Sequence, residues 1–145
     1  VGTCDMPPEF ERIDALSGAQ AEELWALYQQ EWWTVGRDLA DVRAMLEHST
    51  FVVGLVAPSG ELAGFARVLT DKVFKALVLD VIVRAEFRSL GLGDRLMEHV
   101  LSHPEIATVR NVELYCKPDL MPFYERFGFS ERVGDIRMMR RSSPA

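Results

Sequence analysis

The feature that most constrains the fold is a β-strand, a glycine-containing loop and a helix in immediate succession, followed by another strand. An apolar run from Ala76 to Val83 predicts the first strand, and the loop spans 88–93. Within residues 94–103 the apolar side chains recur at helical spacing, and Pro104 ends the pattern. The next strand is predicted over 109–115. Because such a crossover joins parallel strands, the sequence predicts an α/β fold with a partly parallel sheet.

Local capping and turn residues predict the remaining elements. Ser17 and Gln20 have the spacing of a capping box, and Asp38 is placed to begin a second helix. Gly60 lies in a short turn between two apolar runs, which is typical of a β-hairpin. Gly128 closes the last helix as a left-handed cap. The predicted elements are helices over 19–28, 39–47 and 119–127, strands over 51–57 and 62–69, and a short final hairpin through Gly134 ending at Met138 and Met139.

Length and composition favour a single domain over residues 1–145, with loose termini at 1–7 and 141–145. The hydrophobic content of 48% is enough to fill a core of that size. The net charge of −6 argues against a nucleic-acid-binding protein, since phosphate backbones are bound by clustered Lys and Arg. No apolar run approaches the roughly 20 residues of a membrane-spanning helix. With two distant cysteines and no export signal pattern, we expect a cytoplasmic protein.

The loop that leads into the central helix is a candidate anion site. The first N–H groups of a helix have no acceptor within it, and the helix dipole adds positive potential there. Gly91 and Gly93 would let a diphosphate approach the backbone, although both glycines also suit a plain turn and cap. The segment lacks the Gly-Lys-Ser/Thr of nucleoside-triphosphatases and the last glycine of the dinucleotide fingerprint.

Three segments in this order resemble the GCN5-related N-acetyltransferase (GNAT) superfamily. They are Val81-Ile82-Val83, the loop Glu86-Phe87-Arg88-Ser89-Leu90-Gly91-Leu92-Gly93, and Phe123-Tyr124-Glu125-Arg126-Phe127-Gly128-Phe129. The resemblance covers about residues 50 to 139 well and the two N-terminal helices loosely.

The resemblance implies a mixed sheet, flanked by about four helices, that splays into a V between 81–83 and 112–115. Acetyl-coenzyme A would lie in the gap, its pantetheine arm pairing with the strand backbone and its pyrophosphate resting on loop amides. The cofactor-binding residues implied in this way are Val81, Ile82, Val83, Arg88, Ser89, Leu90, Gly91, Leu92, Gly93 and Asp94.

Acetyl transfer to an amine requires removal of a proton from the alkylammonium, and two acids are candidates for that base. Asp80 interrupts an apolar strand, where a carboxylate is costly without a partner. Its alternative role is that of a buried, salt-bridged acid, with Arg67 as a possible partner. Glu113 shares a strand face with Tyr115, and the two are rival base and substrate-orienting candidates. Either of them also suits a solvated edge position.

Tyr124 is the candidate proton donor to the leaving thiolate, since the resemblance places it at the position of a tyrosine general acid. Its alternative role is a core aromatic beside Phe123 and Phe127. The candidate substrate-binding residues are Trp32, Trp33, Arg67 and Tyr115. The alternative role of the two tryptophans is that of core anchors between the first two helices.

Other chemistries have weaker support in the sequence. His99 and His103 lie four residues apart on one helix, as a metal pair would, but no third ligand is evident and we expect no metal. Cys116 suits an acyl intermediate or a packed thiol at a strand end.

The sequence thus predicts an N-acetyltransferase that moves the acetyl group of acetyl-coenzyme A to a primary amine by direct attack. A small-molecule amine is the expected acceptor, and a homodimer is possible. The alternatives are a non-catalytic acetyl-coenzyme A sensor or scaffold and an enzyme that acts on a protein or peptide amine.

Overall fold

The computed structural model describes residues 9–144, which form two compact units divided after Tyr115. The predicted single domain over 1–145 stays a prediction. Residues 1–7, expected to be a loose terminus, and Cys4 lie outside the described residues.

The first unit contains a five-stranded mixed sheet in which the strands follow one another in chain order. The first four strands are antiparallel to their neighbours, and the last pair is parallel. The strands are β1 (Glu11–Ile13), β2 (Phe51–Val56), β3 (Leu62–Thr70), β4 (Lys75–Val83) and β5 (Asn111–Leu114). The predicted α/β architecture with a partly parallel sheet is therefore confirmed. β1 was not predicted, because its three residues are too few to show a periodic pattern.

Four α-helices accompany the sheet, as expected, together with two short 3₁₀ turns. The helices are α1 (Gly18–Tyr28), α2 (Leu39–His48), α3 (Leu92–Leu101) and α4 (Met121–Glu125), and the turns are Ala85–Phe87 and Pro118–Leu120.

The predicted caps form at both N-terminal helices. Ser17 Oγ accepts a hydrogen bond from the Gln20 N–H at 3.1 Å, and Gln20 Oε1 accepts one from the Ser17 N–H at 2.9 Å. Asp38 Oδ1 accepts from the Asp41 N–H at 2.8 Å. These bonds satisfy amides that the first helical turn leaves without acceptors, and they fix where α1 and α2 begin.

Helices cover both faces of the sheet. On one face, side chains of α1 and α2 pack against the sheet in a cluster that includes Tyr28 and Phe65. On the other face, α3 buries Leu96 directly over Gly64, where a Cβ would come within 3.2 Å of Leu96 Cδ1. Gly64 and Phe65 are adjacent in β3, so they point to opposite faces. β3 is therefore buried on both faces over most of its length, whereas β4 is buried on one face and half-buried on the other.

The second unit, from Cys116, contains α4 and a cluster of aromatic rings. Gly128 adopts the predicted left-handed conformation, with φ of 93°, and α4 ends at Glu125, before the predicted end at Phe127. The predicted final hairpin is wrong, because residues 126–144 contain a turn at Gly134 but no strand. An isolated two-stranded hairpin is marginal in water, and residues 116–144 contain no further strand to pair with it.

Candidate active site

The free edge of β4 is the first component of the site. β5 pairs only with the first four residues of β4, and the ladder ends where Val78 lies opposite Leu114. Residues 79–83 continue beyond it, and no strand among residues 9–144 pairs with that edge. Alternate residues of a strand point their backbone groups to opposite edges, so Val81 and Val83, on either side of Ile82, face a gap beside the sheet, while Ile82 lies opposite Phe65 of β3. This is the arrangement expected of a sheet that splays between β4 and β5.

A bulge in β4 lies within the same stretch. The register with β3 shifts so that Asp80 and Val81 together oppose Ala66, and Asp80 has a positive φ of 56°. Aspartate tolerates this left-handed conformation better than most residues do. The bulge locally removes backbone groups from the β3–β4 ladder and bends the strand next to its free edge.

The loop before α3 is the second component. Ser89 and Gly91 have positive φ values of 72° and 80°, and Gly91 is the N-cap of α3. The helix starts at Leu92, two residues earlier than predicted, so the Leu92 and Gly93 N–H groups belong to its first turn and have no acceptor within the helix. Residues 88–90 are exposed. The loop thus places backbone amides and a helix N-terminus at the end of the strand, where an anion would be stabilised.

The Arg88 side chain does not extend freely into solvent. Its Nε–H donates to the Val83 carbonyl at 3.0 Å, and its Nη2 pairs with Glu31 at 2.9 Å. Arg88 therefore ties the loop to the end of β4 and to the connection between α1 and α2.

Asp80 is a buried acid with three partners. Its Oδ2 accepts hydrogen bonds from Arg37 Nη1 at 2.7 Å, Arg67 Nε at 2.8 Å and Tyr28 Oη at 2.9 Å. Burial alone would raise the pKa of Asp80, but the hydrogen bonds and charges of the two arginines outweigh it and hold the pKa below its usual value. The salt-bridged alternative, with Arg67 as a partner, is thereby confirmed. A carboxylate held in its charged form in this way is a poor proton acceptor.

Two members of this group, Arg37 and Tyr28, were not predicted from the sequence. Arg37 Nη2 adds a second contact to Asp80 Oδ1 at 3.3 Å, and its guanidinium lies 4.7 Å from the centre of the Tyr28 ring. Burial and the neighbouring Asp80 raise the pKa of Tyr28, so its hydroxyl stays protonated. Because Asp80 lies within an apolar strand, the sequence did predict that its carboxylate would have a partner such as an arginine. Sequence spacing could not select Arg37, which is 43 residues away.

Glu113 and Tyr115 lie at the exposed end of the sheet. Glu113 Oε2 pairs with Lys75 Nζ at 2.6 Å, and about half of each side chain is exposed. Tyr115 follows the last residue of β5 and is 56% exposed. Glu113 is therefore a solvated partner in a surface ion pair.

Tyr124 lies in α4, within the second unit. Its ring makes edge contacts with Phe123, at 4.9 Å between centroids, and with Phe129, at 6.1 Å. Burial, with Cys116 nearby, raises the pKa of Tyr124 to about 12, so the hydroxyl carries its proton at neutral pH. The packing and the proton-donor interpretations are both compatible with this environment.

Trp32 and Trp33 lie in the connection between α1 and α2. Trp32 is 67% exposed and Trp33 is 38% exposed, so neither ring is a core anchor. The connection is fixed at its end by the Arg37 carbonyl, which accepts hydrogen bonds from Trp25 Nε1 at 3.0 Å and Gln29 Nε2 at 2.9 Å.

The two histidines and Cys116 have ordinary environments. Both ring nitrogens of His99 face guanidinium groups, those of Arg12 and Arg95, and His103 stacks on Phe51 with 3.7 Å between ring centres. Burial raises the pKa of the Cys116 thiol, which disfavours the reactive thiolate. Within residues 9–144, no three His, Cys, Asp or Glu side chains are grouped so as to hold a metal ion, and no helix is long and apolar enough to cross a membrane.

Comparison with known sequences agrees with this geometry. The sequence model of the acetyltransferase (GNAT) family matches residues 13–129. A protein of Porphyra purpurea named uncharacterized N-acetyltransferase ycf52 is 34% identical over 120 residues, which are 81% of this chain and 68% of the relative. The rice protein named serotonin N-acetyltransferase 2, chloroplastic, is 38% identical over 102 residues, or 68% of this chain and 50% of that relative. Since that relative's name places it in the chloroplast, the cytoplasmic location stays a prediction.

Solved structures with the same fold include members of the same family. One from Xanthomonas campestris pv. campestris has a TM-score of 0.79 and 27% identity, with 96% of each chain covered. Another, AAC(6′)-Iy in complex with a bisubstrate analogue of coenzyme A, has a TM-score of 0.70 at 18% identity, covering 92% of this chain and 99% of that one, and shows likeness of fold. Because the family model matches residues 13–129 and the relatives and the sheet agree with it, this chain belongs to the GNAT family of N-acetyltransferases.

Proposed function

We propose that the chain transfers the acetyl group of acetyl-coenzyme A to a primary amine of a small molecule by direct attack. The observation that carries the proposal is the free edge of β4 next to the open N-terminus of α3. The edge offers backbone groups to an extended amide chain, and the helix N-terminus offers amides to phosphate. These are the two parts of coenzyme A that a protein must hold.

The residues proposed to hold acetyl-coenzyme A are those at the strand edge and in the loop. Val81 and Val83, with Ile82 between them, would pair with the pantetheine arm, and the amides of residues 88–94 would receive the pyrophosphate. When bound, the coenzyme supplies an activated thioester. The fit is supported by the unpaired edge and by the left-handed Ser89 and Gly91, which shape the loop before α3.

The proposed proton donor to the leaving thiolate is Tyr124. The role is supported by the match of residues 123–129 to the family motif, and the hydroxyl carries the proton that a donor must supply at neutral pH. Neither Asp80 nor Glu113 is proposed as the base, since one is held charged by two arginines and the other is a surface ion pair. We infer that the acceptor amine loses its proton to solvent water. Trp32, Trp33 and Tyr115 are proposed to contact the acceptor, because they are the large exposed aromatic side chains on the α1–α2 connection and beside β5.

The proposal is tested by measuring coenzyme A release with a thiol reagent across a panel of amines. Release that depends on an amine supports acetyl transfer, whereas tight binding of acetyl-coenzyme A with no release by any amine would indicate a sensor or scaffold. Acylation confined to peptide amines would indicate a protein or peptide N-acetyltransferase.

The phosphate loop is tested separately by Gly91→Val, because a branched side chain at positive φ strains the loop and blocks the backbone approach. Acetyl-coenzyme A at a hundredfold excess over Kd stabilises the parent by about 2.7 kcal/mol. We expect most of that stabilisation to be lost in the variant. Gly60→Val is the matched control, since Gly60 also has a positive φ, of 96°, but lies in the β2–β3 turn with open space around it. An undiminished ligand-induced Tm shift in folded Gly91→Val would refute the loop assignment.

A further inference from the structure

The group around Asp80 has more positive than negative charge. Arg37 and Arg67 each carry one positive charge, Asp80 carries one negative charge, and the Tyr28 hydroxyl is neutral. Among residues 9–144, Asp80 is the only carboxylate paired with either guanidinium. One positive charge therefore has no counterion, although the Arg67 side chain is only 14% exposed. A charge so far removed from water is costly unless something compensates it.

The unused N–H donors of Arg67 indicate where a negatively charged group could bind and balance this positive charge. Arginine carries five N–H donors in a planar fork, and in Arg67 the Nε–H is the one with a partner among the described residues. No buried side-chain nitrogen or oxygen in that part of the chain lacks a hydrogen-bond partner, so the Nη atoms must be reached by solvent. Asp80 therefore holds Arg67 through its Nε–H and leaves the two Nη atoms, which are not fully buried, open to a further acceptor.

This guanidinium lies beside the proposed reaction site. Its partner Asp80 directly precedes Val81 on the free edge of β4. The other arginine, Arg37, ends the connection that carries Trp32 and Trp33. The charged group therefore links the end of the α1–α2 connection to the residue that precedes the strand edge.

We propose that Arg67, oriented by Asp80 and supported by Arg37, binds an oxyanion on the acceptor amine, either a carboxylate or a phosphate. This inference rests on the proposed acetyl transfer and narrows its substrate class to amines that also carry an anionic group. The planar fork of arginine matches both anions, and a partly buried charge binds them more strongly than an exposed one does. Amines without an anion would leave the positive charge uncompensated.

Matched acceptor pairs test the proposal. 5-Hydroxytryptophan differs from serotonin by one carboxylate, and O-phosphoethanolamine differs from ethanolamine by one phosphate. In at least one of these two pairs, we expect the anionic amine to have a kcat/KM about tenfold or more above that of the neutral amine. The pair that shows this preference tells whether the anion is a carboxylate or a phosphate. Arg67→Gln should lower that anionic-to-neutral ratio by about 10- to 100-fold, mainly through KM, as expected for loss of a charged hydrogen bond.

Two further variants serve as controls. Arg43→Gln removes an exposed arginine paired with Glu22 on the protein surface, and it should leave the ratio unchanged. Arg67→Lys keeps the charge but loses the fork and should give an intermediate ratio. The fold should survive in Arg67→Gln because Arg37 still holds Asp80 through two contacts.

Binding measurements separate failure of this inference from failure of the proposed function. N-Acetyltryptophan and N-acetyltryptamine differ only by the carboxylate, and their affinities can be measured by calorimetry without turnover. If no amine is acetylated, acetyl transfer fails, but tighter binding of N-acetyltryptophan to the parent than to Arg67→Gln still supports the anion site. Preference for the neutral member of every pair, or a ratio and affinities unchanged in folded Arg67→Gln, overturns the inference.

Discussion

Replacing Asp80 by asparagine should mainly destabilise the protein. Asparagine has nearly the same shape and also tolerates the positive φ of 56° found at this bulge, so the change isolates the loss of charge. Two guanidinium groups would then lose their only carboxylate partner among the described residues, and Tyr28 would lose a charged acceptor.

The size of the effect follows from the burial of the partners. Removing one member of a buried ion pair costs about 3–5 kcal/mol. Because the Arg37 side chain is 32% exposed and water can partly solvate it, we expect the lower end, about 3 kcal/mol. For a chain of this length that corresponds to a fall in Tm of roughly 9 °C. Urea unfolding followed by circular dichroism measures the free energy, and calorimetry measures Tm.

Glu113→Gln is the matched control for Asp80→Asn. It removes one charge from an ion pair whose two side chains are about half exposed, and such surface pairs contribute about 0–1 kcal/mol. The reasoning fails if Asp80→Asn unfolds within about 0.5 kcal/mol of the parent, or if it keeps its stability while losing turnover at all but high pH. The second outcome would make Asp80 the general base.

Two further predictions concern pH and Tyr124. Because the pKa of Asp80 is lower in the folded protein than its unfolded value of about 3.9, its contribution to stability is full above about pH 5 and is lost as pH falls through the folded pKa. The parent should therefore lose more stability than Asp80→Asn between about pH 5 and pH 2, as measured by urea unfolding, and parallel curves would contradict this. Tyr124→Phe should lower kcat by roughly 100-fold, with KM for acetyl-coenzyme A and Tm little changed. Turnover within about threefold of the parent would show that Tyr124 only packs against its aromatic neighbours.

The elements that the sequence predicted well are those with local causes. The capping box at Ser17 and the cap at Asp38 act over three residues, so their spacing alone locates the starts of α1 and α2. The apolar run of β4 and the helical spacing of apolar residues in α3 are also local patterns, and together they predicted the β4–α3–β5 crossover. The final hairpin was mispredicted because strands need partners from elsewhere, and a turn at Gly134 does not supply them.

For the site, the sequence determined the residue types and their order along the chain. The strand ending at Val83, the glycine loop and Tyr124 were all visible, and they led to the family. An acid within an apolar strand also required a charged or hydrogen-bonding partner, whatever the fold.

Only the tertiary structure decided what that acid does. It brings Arg37 and Tyr28 to Asp80 from 43 and 52 residues away, and this converts a candidate base into an acid held in its charged form. It also ends the β4–β5 ladder at Val78 and leaves one positive charge of the group around Asp80 uncompensated. Hydrogen bonds and charges act over a few ångströms of space, and that distance is set by how the α1–α2 connection packs over the sheet rather than by spacing along the chain.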